Sequence, residues 1–290
     1  MPDTTPPFDL PAVDRGISNT AFSGYLFHFP TIPSTQTLAL EAAAAGARHG
    51  VWIADAQTGG RGRGGHTWHS APIDGLYLSA LVTPSIPLPG AMRLSLLTAI
   101  AAQAAMHEVT GFPLPGDALA AQPAIDIRWP NDLLLGRRKV GGILIESAAA
   151  PATSARPPLL RYAVIGVGIN CNQLTFPPDL DTIATSLRRE SPSGSPPIPR
   201  EALLSAFLRH LDHEIRDLER ATRSAVASTV RDLSHHSTWL TGKLVTVPED
   251  GGYTGITAGL TPDGFLQVRL PDNTLRTVRS GGVRELTDPT

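Results

Sequence analysis

Cysteine is nearly absent: Cys171 is the only one in 290 residues, so an internal disulfide is excluded, and no CxxC or HExxH spacing offers a closed zinc site. Charge of one sign is lacking too. With 24 Lys and Arg against 26 Asp and Glu, the net charge is −2, so the chain as a whole has no pull toward nucleic acid or an anionic membrane, and any polyanion contact must be local. Long apolar runs are missing: no stretch approaches the ~20 residues of a membrane span. The first twenty residues carry Asp3, Asp9, Asp14 and Arg15 without the apolar core of a secretion signal. These absences predict a globular, cytoplasmic protein with neither membrane nor nucleic acid as partner. Its 41% hydrophobic content is ample for a large core.

Organisation follows from periodicity. Residues 1–24 are rich in Pro, Asp, Thr and Ser without a repeat, and predict a loose N-terminal arm. Tyr25–Phe29, Val51–Asp55, Leu76–Val82, Ile125–Trp129, Lys139–Glu146 and Leu160–Asn170 have the apolar composition of strands. A helix is expected from Ser34, whose hydroxyl can cap it, to Gly46, a largely buried one over Ala91–Val109, and a long amphipathic one over Arg200–Arg220. Ala148–Pro158 and Arg189–Pro199 predict surface excursions. Beyond Trp239 short alternating segments separated by Pro-Asp-Gly and Pro-Asp-Asn turns predict a small antiparallel barrel or sandwich. The expected fold is α+β, with a domain over 25–238 followed by an all-β domain over 239–290.

The most informative segment is Gln57-Thr-Gly-Gly-Arg-Gly-Arg-Gly-Gly-His-Thr-Trp-His-Ser70. Its glycines and two guanidinium groups can wrap backbone N–H groups and cations around an anion, which suits phosphate. Gly60, Gly62 and Gly65 satisfy GxGxxG, yet no acidic residue lies between Asp74 and Glu108, where a dinucleotide fold needs one. An RGG-type nucleic-acid contact and a plain surface loop stay open. Three further segments are ordinary one by one: Arg128-Trp-Pro-Asn-Asp132, Lys139-Val-Gly-Gly-Ile-Leu-Ile-Glu146 and Val164-Ile-Gly-Val-Gly-Ile-Asn-Cys-Asn172. The pairs His66/His69 and His210/His213 invite a metal reading, and the second lies on the amphipathic helix, where a solvated face is the simpler account.

In this order, together with Ser34-Thr35, these segments resemble the biotin–protein ligases, in the group without an N-terminal DNA-binding domain, from about Ser34 to the end of the β domain. The resemblance implies a biotin/lipoate ligase-like catalytic domain, a small SH3-like C-terminal barrel, and a two-step reaction. Biotin and ATP would give biotinyl-adenylate and pyrophosphate, and a lysine of a biotin carboxyl carrier domain, as in acetyl-CoA carboxylase, would displace AMP. It implies that Ser34, Thr35, Gln36 and Gln57 meet the ureido ring, and that Gly142, Gly166 and Gly168 allow close approach of ring and chain. Arg61, Gly62 and Arg63 would close over the adenylate, Lys139 would face the carboxylate and α-phosphate, and Asn131 and Asp132 would neighbour that site. Mg2+ would travel with the ATP phosphates, with no protein-bound metal site.

The sequence departs from the family with Gln36 where Asn is common, Arg128 where Lys is common, and Gly64 and His66 where basic residues are common. Lipoate or octanoate ligation is the nearest alternative; a nucleic-acid-binding or a biotin-binding regulatory protein is one of a different class. Homodimerisation by joining sheet edges, the general base for lysine transfer and the role of the β domain are left open.

Overall fold

The structure is a computed structural model that describes residues 8–87, 91–117, 122–150, 159–220, 235–279 and 281–286. Its centre is a seven-stranded mixed sheet of order β1-β2-β3-β7-β6-β5-β4. The strands are β1 Leu26–Ile32, β2 Gly50–Gln57, β3 Gly75–Val82, β4 Ile125–Arg128, β5 Asp132–Leu135, β6 Arg138–Ala149 and β7 Leu160–Asn170. Only the β1/β2 pair is parallel. Every residue of β3 is buried, because helices cover both sheet faces, which is why that strand reads as a continuous apolar run rather than an alternation.

On one face lies α2, Thr35–Ala44, whose Ala39 and Ala43 pack with Trp52, Leu81 and Val164. On the other, α3 (Ala91–Thr110) and α5 (Arg200–Arg220) pack together, α5 burying Leu203, Leu204, Phe207, Leu208 and Leu211 along one stripe. A short helix α4, Leu187–Glu190, follows β7.

The expected loose arm is a correction. Residues 1–7 lie outside the described residues, but Leu10–Gly16 forms helix α1, capped by Asp9, which accepts from the Ala12 N–H at 2.9 Å. Val13, Ile17 and Phe22 are buried at 0%, 1% and 2% exposure, and Asp212 of α5 accepts from the Ala21 N–H at 2.9 Å. The Pro and Asp that read as disorder are a helix start: Asp9 caps, Pro11 fits the first turn, and the apolar residues spaced four apart meet α5. Strand β5 is a second addition, pairing with β4 as Arg128↔Asp132 through Ile125↔Leu135. Of the excursion expected over 148–158, residues 151–158 lie outside the described residues.

A second, five-stranded antiparallel sheet holds β8 Thr241–Val247, β9 Tyr253–Leu260, β10 Leu266–Arg269, β11 Leu275–Val278 and β12 Arg284–Glu285, in the order β11-β10-β9-β8-β12. Among the described residues β11 and β12 are its edges, an arrangement consistent with an SH3-like module. It docks firmly on the first unit: the Trp129 indole donates to Gly264 O at 3.0 Å, Arg93 pairs with Asp263 at 2.7 Å, and Ser237 Oγ donates to Ile127 O at 2.6 Å. Among the described residues no helix is long and apolar enough to cross a membrane.

Candidate active site

The loop between β2 and β3 faces β6 and β7, and the cavity there gathers residues from each of the segments that carry the family resemblance. Ser34, Thr35, Gln36, Gln57, Arg61, Gly62, Arg63, Asn131, Lys139, Gly142, Gly166 and Gly168 all line it, joined by Trp68, Leu78, Ser79, Ile143, Leu144 and Val167. Of the candidate residues only Asp132 stands outside that lining, and it sits behind Lys139, its Oδ1 2.5 Å from Lys139 Nζ.

One end of the cavity is neutral and polar. Ser34 caps α2, its Oγ accepting from the Thr37 N–H at 3.4 Å, and this turns the first helical residues into the cavity. The Thr35 N–H and hydroxyl donate to Gln57 Oε1 at 2.9 and 3.1 Å, and Thr35 Oγ1 lies 2.9 Å from Ser79 Oγ. Ser79 Oγ donates to Gln36 Oε1 at 3.0 Å, while Gln57 Nε2 donates to Ser70 Oγ at 3.0 Å. Ser34, Thr35 and Gln36 are each 3% exposed and Ser79 is fully buried, so the network is held nearly free of water and its geometry is fixed.

The floor is glycine for a steric reason. A Cβ on Gly168 would lie 2.5 Å from Trp68 Cε2, and one on Gly166 would lie 2.5 Å from Gln36 Oε1. On Gly142 it would meet Trp68 at 3.2 Å and Lys139 Cε at 3.3 Å. These residues let the Trp68 ring lie flat on the sheet, where its buried indole N–H finds no acceptor among the described residues.

The other end is cationic. Arg61 pairs with Glu146 at 3.1 Å; Arg63 donates to Asn131 Oδ1 at 3.0 Å and to Gly281 O at 3.1 Å. Asn131 in turn donates to Ile143 O at 2.8 Å, which fixes the amide that steadies Arg63. Burial pushes the Arg63 guanidinium below its ordinary range, and the Asp132 charge opposes that shift. Lys139 Nζ stands 5.5 Å from the Trp68 ring centroid. Burial alone would raise the Asp132 carboxyl, but Lys139 and Arg128, the latter at 2.8 Å, overcome it and hold Asp132 below the usual carboxylate range.

A second cavity, lined by His66, Thr67, Trp68, His69, Lys139, Asn170, Phe176, Leu180, Ile183 and Ala184, adjoins the first, and Trp68 and Lys139 belong to both. Its far wall is pinned to Lys139 by backbone: the Lys139 N–H donates to Ile183 O at 2.8 Å and the Thr185 N–H to Lys139 O at 2.9 Å. Sequence reasoning passed over two polar residues, Ser79 and Glu146, because their hydrogen-bond partners lie 43 and 110 residues away in sequence. His210 pairs instead with Glu108 at 3.0 Å, and among the described residues no three His, Cys, Asp or Glu side chains converge on a metal position.

The model of the biotin/lipoate A/B protein ligase family matches residues 28–170. The chain is similar to the bifunctional ligase/repressor BirA of Bacillus subtilis, 34% identical over 205 residues that cover 70% of this chain and 57% of the relative. It is also similar to the biotin–[acetyl-CoA-carboxylase] ligase of Mycobacterium tuberculosis, 31% identical over 166 residues, 57% of this chain and 53% of that one. The chain thus spans little more than half the length of these relatives. Among solved structures, the biotin protein ligase of Aquifex aeolicus in complex with biotin and ATP superposes with a TM-score of 0.68 at 24% identity, over 90% of this chain and 98% of that chain. The enzyme of Leishmania major in complex with biotinyl-5-AMP gives 0.56 at 26% identity, over 89% and 99%.

Proposed function

The chain belongs to the biotin/lipoate A/B protein ligase family, and from that premise we propose that it joins biotin to ATP as biotinyl-adenylate and then passes the biotinyl group to a lysine of a biotin carboxyl carrier domain, such as that of acetyl-CoA carboxylase. The observation that carries this reading is the pair of cavities meeting at Trp68 and Lys139. A neutral urea needs donors and acceptors on both sides, and Ser34, Thr35, Gln36, Gln57 and Ser79 offer hydroxyls and amides in a dry pocket. A purine base suits the apolar second cavity with Phe176, Leu180 and Ile183, with the Asn170 amide at its edge.

The reacting atoms then fall at the shared wall. The biotin carboxylate is ionised at neutral pH and attacks the α-phosphorus as pyrophosphate leaves, so the step needs cations rather than a base. Lys139, Arg61 and Arg63 surround that position and Asp132 keeps Lys139 in place. Mg2+ would be carried on the ATP phosphates, since both carboxylates beside the cavity, Asp132 and Glu146, are already paired with cations. In the second step the acceptor amine adds to the acyl carbonyl, AMP departs with the bonding pair, and the amine gives up a proton. The loop bearing Arg61 and Arg63 covers the mixed anhydride from water in between. Consumption of ATP, with Cys171 buried and unpaired, fits a cytoplasmic enzyme.

A lipoate ligase would use the same cations, and the polar rather than apolar lining of the acyl end favours biotin over a dithiolane. Pyrophosphate release is therefore measured with biotin, with lipoate and with neither, followed by addition of an acceptor domain. Release with biotin alone, and label on the acceptor lysine, are the expected results. Release with lipoate alone overturns the substrate, and inactivity of the folded chain with both overturns the reading.

A further inference from the structure

Glu146, three residues before the end of β6, does not line the first cavity, yet it holds two residues that do. Its oxygens are divided between them. Oε2 accepts from the Gln36 amide at 3.0 Å, and Oε1 pairs with Arg61 Nη2 at 3.1 Å. Gln36 belongs to the neutral end, its carbonyl oxygen already taken by Ser79 and its amide also 3.4 Å from Val164 O. Arg61 belongs to the cationic end. One carboxylate therefore spans the boundary between the acyl pocket and the phosphate position.

The two contacts differ in strength. The Arg61 pair is partly exposed, 44% and 31% for the two side chains, so solvent screens it and an incoming polyphosphate can displace it. The Gln36 contact is to an amide that is 3% exposed, and leaving that donor unmet is costly. We infer that Glu146 is a placeholder anion: it holds Arg61 over the cavity, gives it up to an incoming phosphate, and with its other oxygen keeps Gln36 oriented for the acyl ligand. The acyl half rests on the biotin reading above, whereas the anion half rests only on Arg61 and Glu146.

Isothermal titration of the full chain with tripolyphosphate and, separately, with biotin tests both halves, using Glu146→Gln, Glu146→Ala and each of these combined with Arg61→Ala. The glutamine variant is isosteric and keeps an acceptor for Gln36 while releasing Arg61. Both single variants bind tripolyphosphate about two- to fivefold more tightly than the native chain, the range set by a screened ion pair, and the gain disappears in the Arg61→Ala background. Biotin binding falls at least about threefold in Glu146→Ala and changes less than about twofold in Glu146→Gln, because only the alanine strands the buried amide. An unchanged or weaker tripolyphosphate affinity, or a gain that survives Arg61→Ala, overturns the placeholder role, as does the absence of anion binding to both the native chain and Glu146→Gln. Equal biotin affinities of the two single variants overturn the Gln36 half. Failure of the native chain to bind biotin, with the anion cycle intact, sinks the biotin reading and leaves the Arg61 placeholder standing.

Discussion

At the scale of single residues, the site is a set of charges whose partners decide what they do. Lys139 is the cation placed at the wall between the two cavities, and Lys139→Ala is expected to slow adenylate formation by about 100-fold, the effect of losing one donor aimed at developing charge. Biotin- and ATP-dependent pyrophosphate release checks this, and a normal first-step rate would return Lys139 to the role of a surface lysine. Asp132 supplies a separate pH prediction. Its folded-state carboxyl is held below the usual range, so its stabilising contribution is complete above the unfolded-chain carboxylate range near pH ~4 and fades as pH falls through the lower folded value. Asp132→Asn should therefore lower the unfolding free energy from urea titration at pH 7 by an amount on the order of 1–3 kcal/mol, because Lys139 and Arg128 are partly exposed. The gap should narrow at pH 3. A gap independent of pH would mean that shape rather than charge holds the hairpin.

Elements explain both what the sequence made legible and what it hid. The long helices and the other six strands of the central sheet were readable from their periods and apolar runs, whereas the grouping of the motifs in one cavity was implied by the family resemblance; Gly168 under Trp68 shows the steric purpose one of those motif glycines serves. Strand β5 was hidden because its four residues follow a Pro-Asn-Asp turn directly, leaving no window long enough to show a period. Helix α1 was hidden by composition: seven residues holding a proline and an aspartate look like coil until α5 is there to receive Val13 and Ile17. Glu146 and Ser79 were hidden because hydrogen-bond partners 110 and 43 residues away in sequence have no local signature. The α1 correction is testable by itself. Ile17 is 1% exposed, and Ile17→Ala should cost about 2–5 kcal/mol in chemical unfolding, the range for a buried large-to-small change. No shift of the midpoint would restore the loose arm.

For the whole molecule the question is whether the second sheet is an appendage or part of one folding unit. Val245, Val247, Leu266, Val268 and Val278 of that sheet belong to the same contiguous core as Leu96, Trp129 and Leu133 of the first unit. The connecting segment is tied down as well, with Thr238 Oγ1 donating to the buried Asp126 at 2.6 Å and Trp239, 6% exposed, facing both Arg128 and Lys243. A core shared in this way should melt in one cooperative step, so fluorescence and far-UV circular dichroism should trace coincident urea transitions. Leu266→Ala, at a fully buried position of β10, should lower the unfolding free energy of that single transition by about 2–5 kcal/mol for the entire chain. It should also loosen the site, since Arg63 donates to Gly281 O beyond β11, and raise the amount of free adenylate released per ligation. Two separate transitions, with Leu266→Ala moving only the weaker one and adenylate release unchanged, would make the second sheet an independent module and reduce the Arg63 contact to a passing one.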